Sequence, residues 1–477
     1  MKYFTNKEKT GFVPFVAIVA GLCLCLWACN RKEKDKDDAE LTQNYLVNQF
    51  IVGYINSYYL WLDDISLKTD MFAADHFDLF EQNMYRRLDK WSYLTDDAEA
   101  MFDSYDGVET TFGLDFSFAR IEDQPGNYIA ILRFVSPDSP AAKAGVGRGD
   151  IITHIDGAAI TESNYRKLYN APNITLRLGK IEDNKLVLTD VEKSMTSIKM
   201  YEDPVQAYRI IESDGKRIGY LCYTGYVVDS HKKLEYVFKE FKNANVEHVV
   251  LDLRYNPGGA VKTILYLNSI LAPYSAVQNQ SVCLRETWNK KIMAEFEQEK
   301  QDLNMYFDSK VPVNMNLKQL YVLTTRSTAS ASEATISGLM PYLDVVQIGD
   351  TTHGKYCAAY LLRPQIRDAN NKYVVDDRIP NWAMSLIVYK YANKDGFTDF
   401  SNGIAPKHLV YDDWRNYRPF GDESDPMLAK AIALITGRER TTRTGGAERF
   451  DASPFRKANL PVPERGGMLI PMEDRKH

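Results

Sequence analysis

The chain has 477 residues, a net charge of −6 and 45% hydrophobic residues, long enough for about two to four domains around a sizeable core. The charge balance is mildly acidic and no basic stripe is interleaved with aromatics, which excludes a nucleic-acid binder. Of six cysteines, Cys23 and Cys25 lie in the amino-terminal apolar run, and the other four, Cys29, Cys222, Cys283 and Cys357, are widely spaced; they form neither a disulfide framework nor a metal-ligand pattern, so no metal or cofactor is expected.

Met1 to Ala28 opens with Lys2, Lys7 and Lys9 and continues as an apolar run from Phe12 to Ala28. A run that short, with a basic start and a polar segment behind it, predicts a secretory signal rather than a spanning helix. Leu26-Trp27-Ala28-Cys29 resembles a bacterial lipobox. The resemblance implies cleavage before Cys29, lipid on its thiol, and a protein anchored in the cell envelope, at the outer membrane or another periplasm-facing membrane. Residues 29–41, with Arg31-Lys32-Glu33-Lys34-Asp35-Lys36-Asp37-Asp38, bury nothing and read as a solvated tether.

Leu46, Phe50, Tyr54 and Tyr58 recur at helical spacing and Phe77 to Leu88 repeats the pattern, predicting a helical domain over 42–105. From Gly107 the period changes to two. Thr111-Phe112-Gly113-Leu114-Asp115-Phe116, Tyr128 to Leu132, Ser139-Pro140-Ala141-Ala142 and Gly149-Asp150-Ile151-Ile152 follow in order. This series resembles a PDZ domain, placed at 106–200. The resemblance implies that a peptide adds as a strand while the Gly113–Leu114 loop holds its terminal carboxylate. Asp115 stands where that pattern often has a second glycine.

The core, 201–437, starts with a strand at Arg217 to Tyr223 and a helix face of Leu234, Val237, Phe238 and Phe241. A continuous apolar strand, His248 to Leu253, then ends in Arg254-Tyr255-Asn256-Pro257-Gly258-Gly259, where glycines let backbone amides approach a ligand. A charged insertion, 274–311, follows. The strand Leu320 to Thr325 leads into Thr328-Ala329-Ser330-Ala331-Ser332-Glu333 and a helical period at Ile336, Leu339, Met340 and Leu343. Ser330 therefore sits at a helix N-terminus, whose amides stabilise an oxyanion. After the strand Val345 to Ile348 comes His353-Gly354-Lys355, with enough chain to return a lysine to the serine, and a neutral lysine is one known activator of a serine nucleophile. Trp382 to Tyr391 predicts a strand, Leu428 to Ile435 a helix, and 438–477 a disordered tail.

Ser-Ala-Ser-Glu followed by Gly-Lys, with Asn-Pro-Gly-Gly upstream and Gly403-Ile404-Ala405-Pro406 downstream, resembles the C-terminal processing, or tail-specific, serine peptidases over residues 42–436. The chain looks like a PDZ-containing lipoprotein member. The resemblance implies a multidomain α+β protein: a helical N-terminal domain, a PDZ domain, and an α/β protease core similar to the Clp-protease and crotonase folds. It also implies Ser330 as nucleophile, Lys355 as base, oxyanion amides from Ala331 and from Gly258 or Gly259, and protein or peptide substrates with free C-termini. Many relatives carry glutamine four residues after the lysine. Here Ala359 stands there, leaving His353 or a backbone carbonyl to hold Lys355. A non-catalytic PDZ scaffold is the alternative: Ala359 favours it and the Ser330–Lys355 pair opposes it. No Gly-x-Ser-x-Gly elbow or His-Glu-x-x-His helix offers another nucleophile or metal.

Overall fold

The computed structural model describes residues 43–183, 185–438, 455–458, 460 and 468–471; the signal segment, Cys29 and the tether lie outside them. Helix α1 (Gln43–Tyr58) buries Leu46, Val47, Phe50, Ile51 and Ile55 along the stripe its spacing dictates. These residues share one continuous core with Leu251, Leu386 and Val388 of the second half of the chain. Tyr93–Thr95 adds antiparallel to the strand Ala383–Asn393. The helical stretch 42–105 is therefore laid onto the core, and no break in packing separates the two.

The period of two beyond Gly107 builds an antiparallel sheet from β1 (Leu114–Ile121), β2 (Tyr128–Val135), β3 (Ile151–Ile155), β4 (Asn173–Glu182) and β5 (Lys185–Thr196). Alternate residues Phe116, Phe118, Leu132, Ile152 and Leu176 fill its own core. Ser139 caps the short helix Pro140–Lys143, its Oγ accepting from Ala142 N at 3.1 Å.

Next come the hairpin β6 (Val205–Ser213) and β7 (Lys216–Tyr223), then α2 (His231–Asn243), β8 (His248–Asp252), β9 (Gly259–Ala260), α3 (Val261–Leu271), β10 (Val282–Trp288), β11 (Gln319–Thr324), α4 (Ala331–Leu339) and β12 (Asp344–Gly349). They are followed by β13 (Cys357–Leu362), β14 (Ala383–Asn393), β15 (His408–Leu409) and α5 (Pro426–Thr436). Strands β7, β8, β11, β12 and β15 lie parallel in the order β6-β7-β8-β11-β12-β15. Burial on both faces explains the unbroken apolar run in β8: Val249 and Leu251 join the large core, while Val250 packs with Leu428 and Ala431 of α5. Because β8 and β11 are parallel neighbours, the loops after both open at one edge of the sheet, where α/β folds bind ligands. Helix α4 stops at Leu339. Met340, predicted on its buried face, is exposed because the chain turns there to reach β12.

The insertion 274–311 supplies β10 and the helix Lys290–Glu299. β10 pairs with β14, and Trp288 lies against Tyr360 and Tyr389. Of the tail 438–477, predicted to be disordered, two described segments depart from that expectation, and the rest lies almost wholly outside the described residues. β16 (Phe455–Ala458) pairs antiparallel with β1, and β17 (Met468–Pro471) lies between β9 and β13, parallel to both. Both tail segments find strand edges with unpaired backbone groups, which outweighs the polar composition around them. The second sheet thus runs β9-β17-β13-β14-β10, with Asn304–Tyr306 outermost.

Candidate active site

Ser330 ends the turn after β11 and begins α4. Its φ of 57° and ψ of −107° are strained for a residue with a side chain. The strain is held by neighbours: Ala329 N donates to Asn256 O at 3.0 Å and Ser330 N to Glu333 Oε2 at 2.8 Å. The Ser330 hydroxyl is fully buried; it faces the Glu333 amide in a capping box, yet makes no contact of hydrogen-bond geometry among the described residues. A buried hydroxyl left unpaired beside helix N-terminal amides is costly for a purely structural serine.

Two clamps bring the 353–355 segment to this serine. The buried Glu333 carboxylate accepts from Ser330 N and Lys355 N on one oxygen, and from Gly354 N (2.7 Å) and Thr352 Oγ1 (2.5 Å) on the other. Burial pushes its pKa up, against the pull of these four donors. The buried Tyr391 hydroxyl lies 3.1 Å from Ser330 O and 3.2 Å from Lys355 O. The two main chains are therefore two hydrogen bonds apart. Neither clamp stood out in the sequence beyond the Ser-x-x-Glu spacing of a capping box.

Lys355 is only 5% exposed. Its Nζ lies 5.5 Å from the centroid of the Trp91 ring, and Trp91 Nε1 donates to His353 Nε2 at 3.4 Å. Burial lowers the His353 pKa, keeping that nitrogen an acceptor. Trp91 is fixed from behind by Asp89, which accepts from Trp91 N, Ser92 N and the Tyr59 hydroxyl. At Ala359 the strand offers only backbone, between Ile387 and Leu469. The indole is the side chain seen beside the Lys355 ammonium, and His353 is its neighbour.

The third wall is the loop after β8. Arg254 is fully buried among Asp252, Asp425 and Asp412, at 2.7, 2.8 and 3.0 Å. Burial alone would raise the Asp252 pKa, and the adjoining guanidinium overrides it, holding the carboxyl low. From this anchor the chain turns through Asn256, whose side chain donates to Tyr223 O and accepts from Gly258 N at 2.9 Å each. Gly258 has φ 115°, and a Cβ there would lie 3.0 Å from both Ser330 Cβ and Ala331 N. At Gly259 a Cβ would lie 2.3 Å from Tyr226 O. Only glycine permits the approach at either position.

Residues 217–410 match the sequence model of Peptidase family S41, and residues 134–170 match that of the PDZ domain. The chain carries an S41 peptidase domain. A carboxy-terminal-processing protease of Bartonella bacilliformis is 26% identical over 272 residues, 54% of this chain and 55% of the relative. The carboxy-terminal processing protease CtpB of Bacillus subtilis is 24% identical over 323 residues, 66% and 60% of the two chains. The matched stretch thus spans less than two thirds of either relative's length. A crystal structure from Bacteroides fragilis, named for the S41 proteases, superposes with TM-score 0.66 at 24% identity, covering 86% of this chain and all of the other. It shows a shared fold.

The PDZ loop is placed against the S41 domain through arginines the sequence did not single out. Asp115 pairs with Arg133, whose Nη1 reaches Ser327 Oγ at 3.1 Å and whose guanidinium lies 5.1 Å from the Tyr255 ring. Arg148 donates to Tyr255 Oη at 3.2 Å and stacks on Tyr417. Gly113 N donates to Thr111 Oγ1 at 2.9 Å and Gly113 O accepts from Ser136 N. Its φ is 78°, and a Cβ would strike Ser139. Gly113 and Leu114 are both buried, and the Gly113 amide is already engaged.

Proposed function

We propose that the chain is a serine endopeptidase of the C-terminal processing type that cleaves protein substrates with a Ser330–Lys355 dyad. The observation that carries this is the unpartnered, buried Ser330 hydroxyl on a strained helix start, tied to Lys355 by Glu333 and Tyr391. Ser330 Oγ attacks the scissile carbonyl, and Lys355 in its neutral form takes the hydroxyl proton and returns it to the leaving amine. Water then releases the acyl group by the same proton route. The amides of Ala331 and of Gly258 or Gly259 receive the oxyanion; Gly259 is the readier of the two, because Gly258 N already donates to Asn256.

The relatives' names support substrates presented by free C-termini, captured or gated by the PDZ domain. Anchoring through lipid on Cys29, in the bacterial envelope, rests on the lipobox-like sequence. Ser330→Ala tests the core of the reading. With an unfolded protein as substrate, loss of the covalent route should lower kcat by about 10⁴ or more while the fold, checked by circular dichroism, is unchanged. Equal cleavage by both proteins would refute the assignment.

A further inference from the structure

The second sheet has a gap one strand wide beside the serine. Among the described residues β9 joins this sheet only through β17, and its other edge is bridged by Tyr226. β13 has β14 on its far side. Without β17, two strand edges would face each other across two strand spacings, about 9.5 Å, with their backbone groups unpaired. Gly259, Ala260 and Ala359 line this gap with almost no side chain, so it recognises backbone. The occupant runs parallel to both walls: Met468 is level with Gly259, Leu469 with Ala260 and Ala359, and Ile470 with Tyr360. The N-terminal ends of the walls carry the site. Gly258 precedes β9 and touches Ser330, and Lys355 lies two residues before β13.

A second tail segment lies on the PDZ domain. β16 adds antiparallel to the outer edge of β1, with Ala458 level with Phe118 and Phe455 with Ile121. That edge is where a PDZ domain takes a peptide as an extra strand. Phe455 is buried with Ile129 and Ile131, while Ala458 and Leu460 rest on the core of Phe116 and Leu132. The tail therefore meets both sites in order, upstream part on the PDZ edge and downstream part in the gap, and the serine beside the gap is buried.

Resting on the peptidase reading above, we propose that the gap between β9 and β13 is the berth for the part of an extended polypeptide that follows the scissile bond, that the edge of β1 holds the part that precedes it, and that the chain's own tail fills both as an intramolecular substrate mimic. A substrate entering in the same direction presents to Ser330 the bond before the residue level with Gly259. The fragment to be released lies in the berth, and a proline level with Leu469 is refused because that residue pairs on both sides. No substrate enters until the tail leaves.

Two variants test this: truncation after Leu460, which keeps β16 and removes β17, and Leu469→Pro in the full chain. If the berth is open in one molecule in ten, each variant should lower KM for an unfolded protein about tenfold with kcat little changed. A synthetic peptide of residues 461–477 should inhibit the truncated enzyme competitively, and its Leu469→Pro counterpart should not. Binding is read separately in a Ser330→Ala background, where the labelled peptide should bind the truncated protein and not the full chain. Binding of this kind without cleavage by the protein bearing Ser330 would sustain the berth and refute the peptidase. Cleavage with KM unmoved in both variants, and no competition by the peptide, would overturn the berth.

Discussion

The Ser330 turn and the Gly113 turn are built alike and end differently. Each is a loop of small residues with positive φ, each is pinned by a nearby side chain, and each was read from a short motif. In the S41 domain the pinning groups, Glu333 and Tyr391, bind main-chain atoms and leave the Ser330 hydroxyl unbonded. In the PDZ domain Thr111 takes the Gly113 amide and Arg133 takes the Asp115 carboxylate. A motif names the atoms at a site; whether neighbours have already engaged them is decided by packing. The serine turn keeps an unbonded hydroxyl, and the glycine turn is largely closed.

The largest effect expected from breaking the serine side, after Ser330 itself, is at Lys355. A guanidinium stays protonated throughout the accessible pH range, so Lys355→Arg should be as inactive as Lys355→Ala, each down by about 10³ or more in kcat. Initial rates on one unfolded protein substrate check this. Near-normal turnover by Lys355→Arg would show that another group is the base.

Glu333 sharpens the comparison, because it holds the turn open without touching the reacting atoms. Glu333→Gln places an amide donor among N–H donors, a mismatch of about 1–3 kcal/mol, or roughly 5- to 150-fold in kcat/KM. The pH profile separates this positioning role from simple damage. Burial raises the folded pKa of Glu333 above its unfolded value. Between the two values the folded state holds the proton more tightly, so this group's contribution to stability grows as pH falls and is lost as pH rises through the folded value. Its clamp behaves oppositely and fails on acidification. Log kcat/KM should fall with slope about one as Lys355 takes up its proton, then with slope about two as Glu333 does, in protein that is still folded. In Glu333→Gln the slope should stay near one. A single slope in the parent protein would remove Glu333 from the site.

Much of the core was legible because its signals are periodic or local. The face Leu234, Val237, Phe238 and Phe241 became the buried side of α2, and the run from His248 became a strand buried on both faces. Ser330, Lys355 and the two glycines were named from spacing and resemblance, and the fold brings their backbones together. What escaped depends on distant partners. Tyr391 lies 61 residues from Ser330, Arg254 is anchored by Asp412 and Asp425 across more than 150 residues, and Trp91 reaches His353 from the other end of the chain. No local period marks such contacts. The strands at 455–458 and 468–471 escaped for the same reason: composition spoke for disorder, while the edges of β1, β9 and β13 with which they pair come from elsewhere in the chain.

The smallest effects belong to the Gly113 turn. With its amide donating to Thr111, a terminal carboxylate gains little there, so a peptide with a free apolar C-terminus and its amidated twin should differ in KM by less than about threefold, under about 0.7 kcal/mol. Asp115→Gly should not improve capture, because the carboxylate faces Arg133 and does not crowd the loop. Removing it frees Arg133 from the position in which it reaches Ser327, three residues before Ser330, and lies over Tyr255. The expected result is a fall in kcat of roughly threefold to tenfold with KM unchanged, the pattern of a contact that positions catalytic groups. Steady-state kinetics on the paired peptides decides between the two uses of the domain. A tenfold preference for the free tail, enhanced by Asp115→Gly, would mean that the Gly113 amide exchanges Thr111 for substrate and that the turn reads C-termini after all.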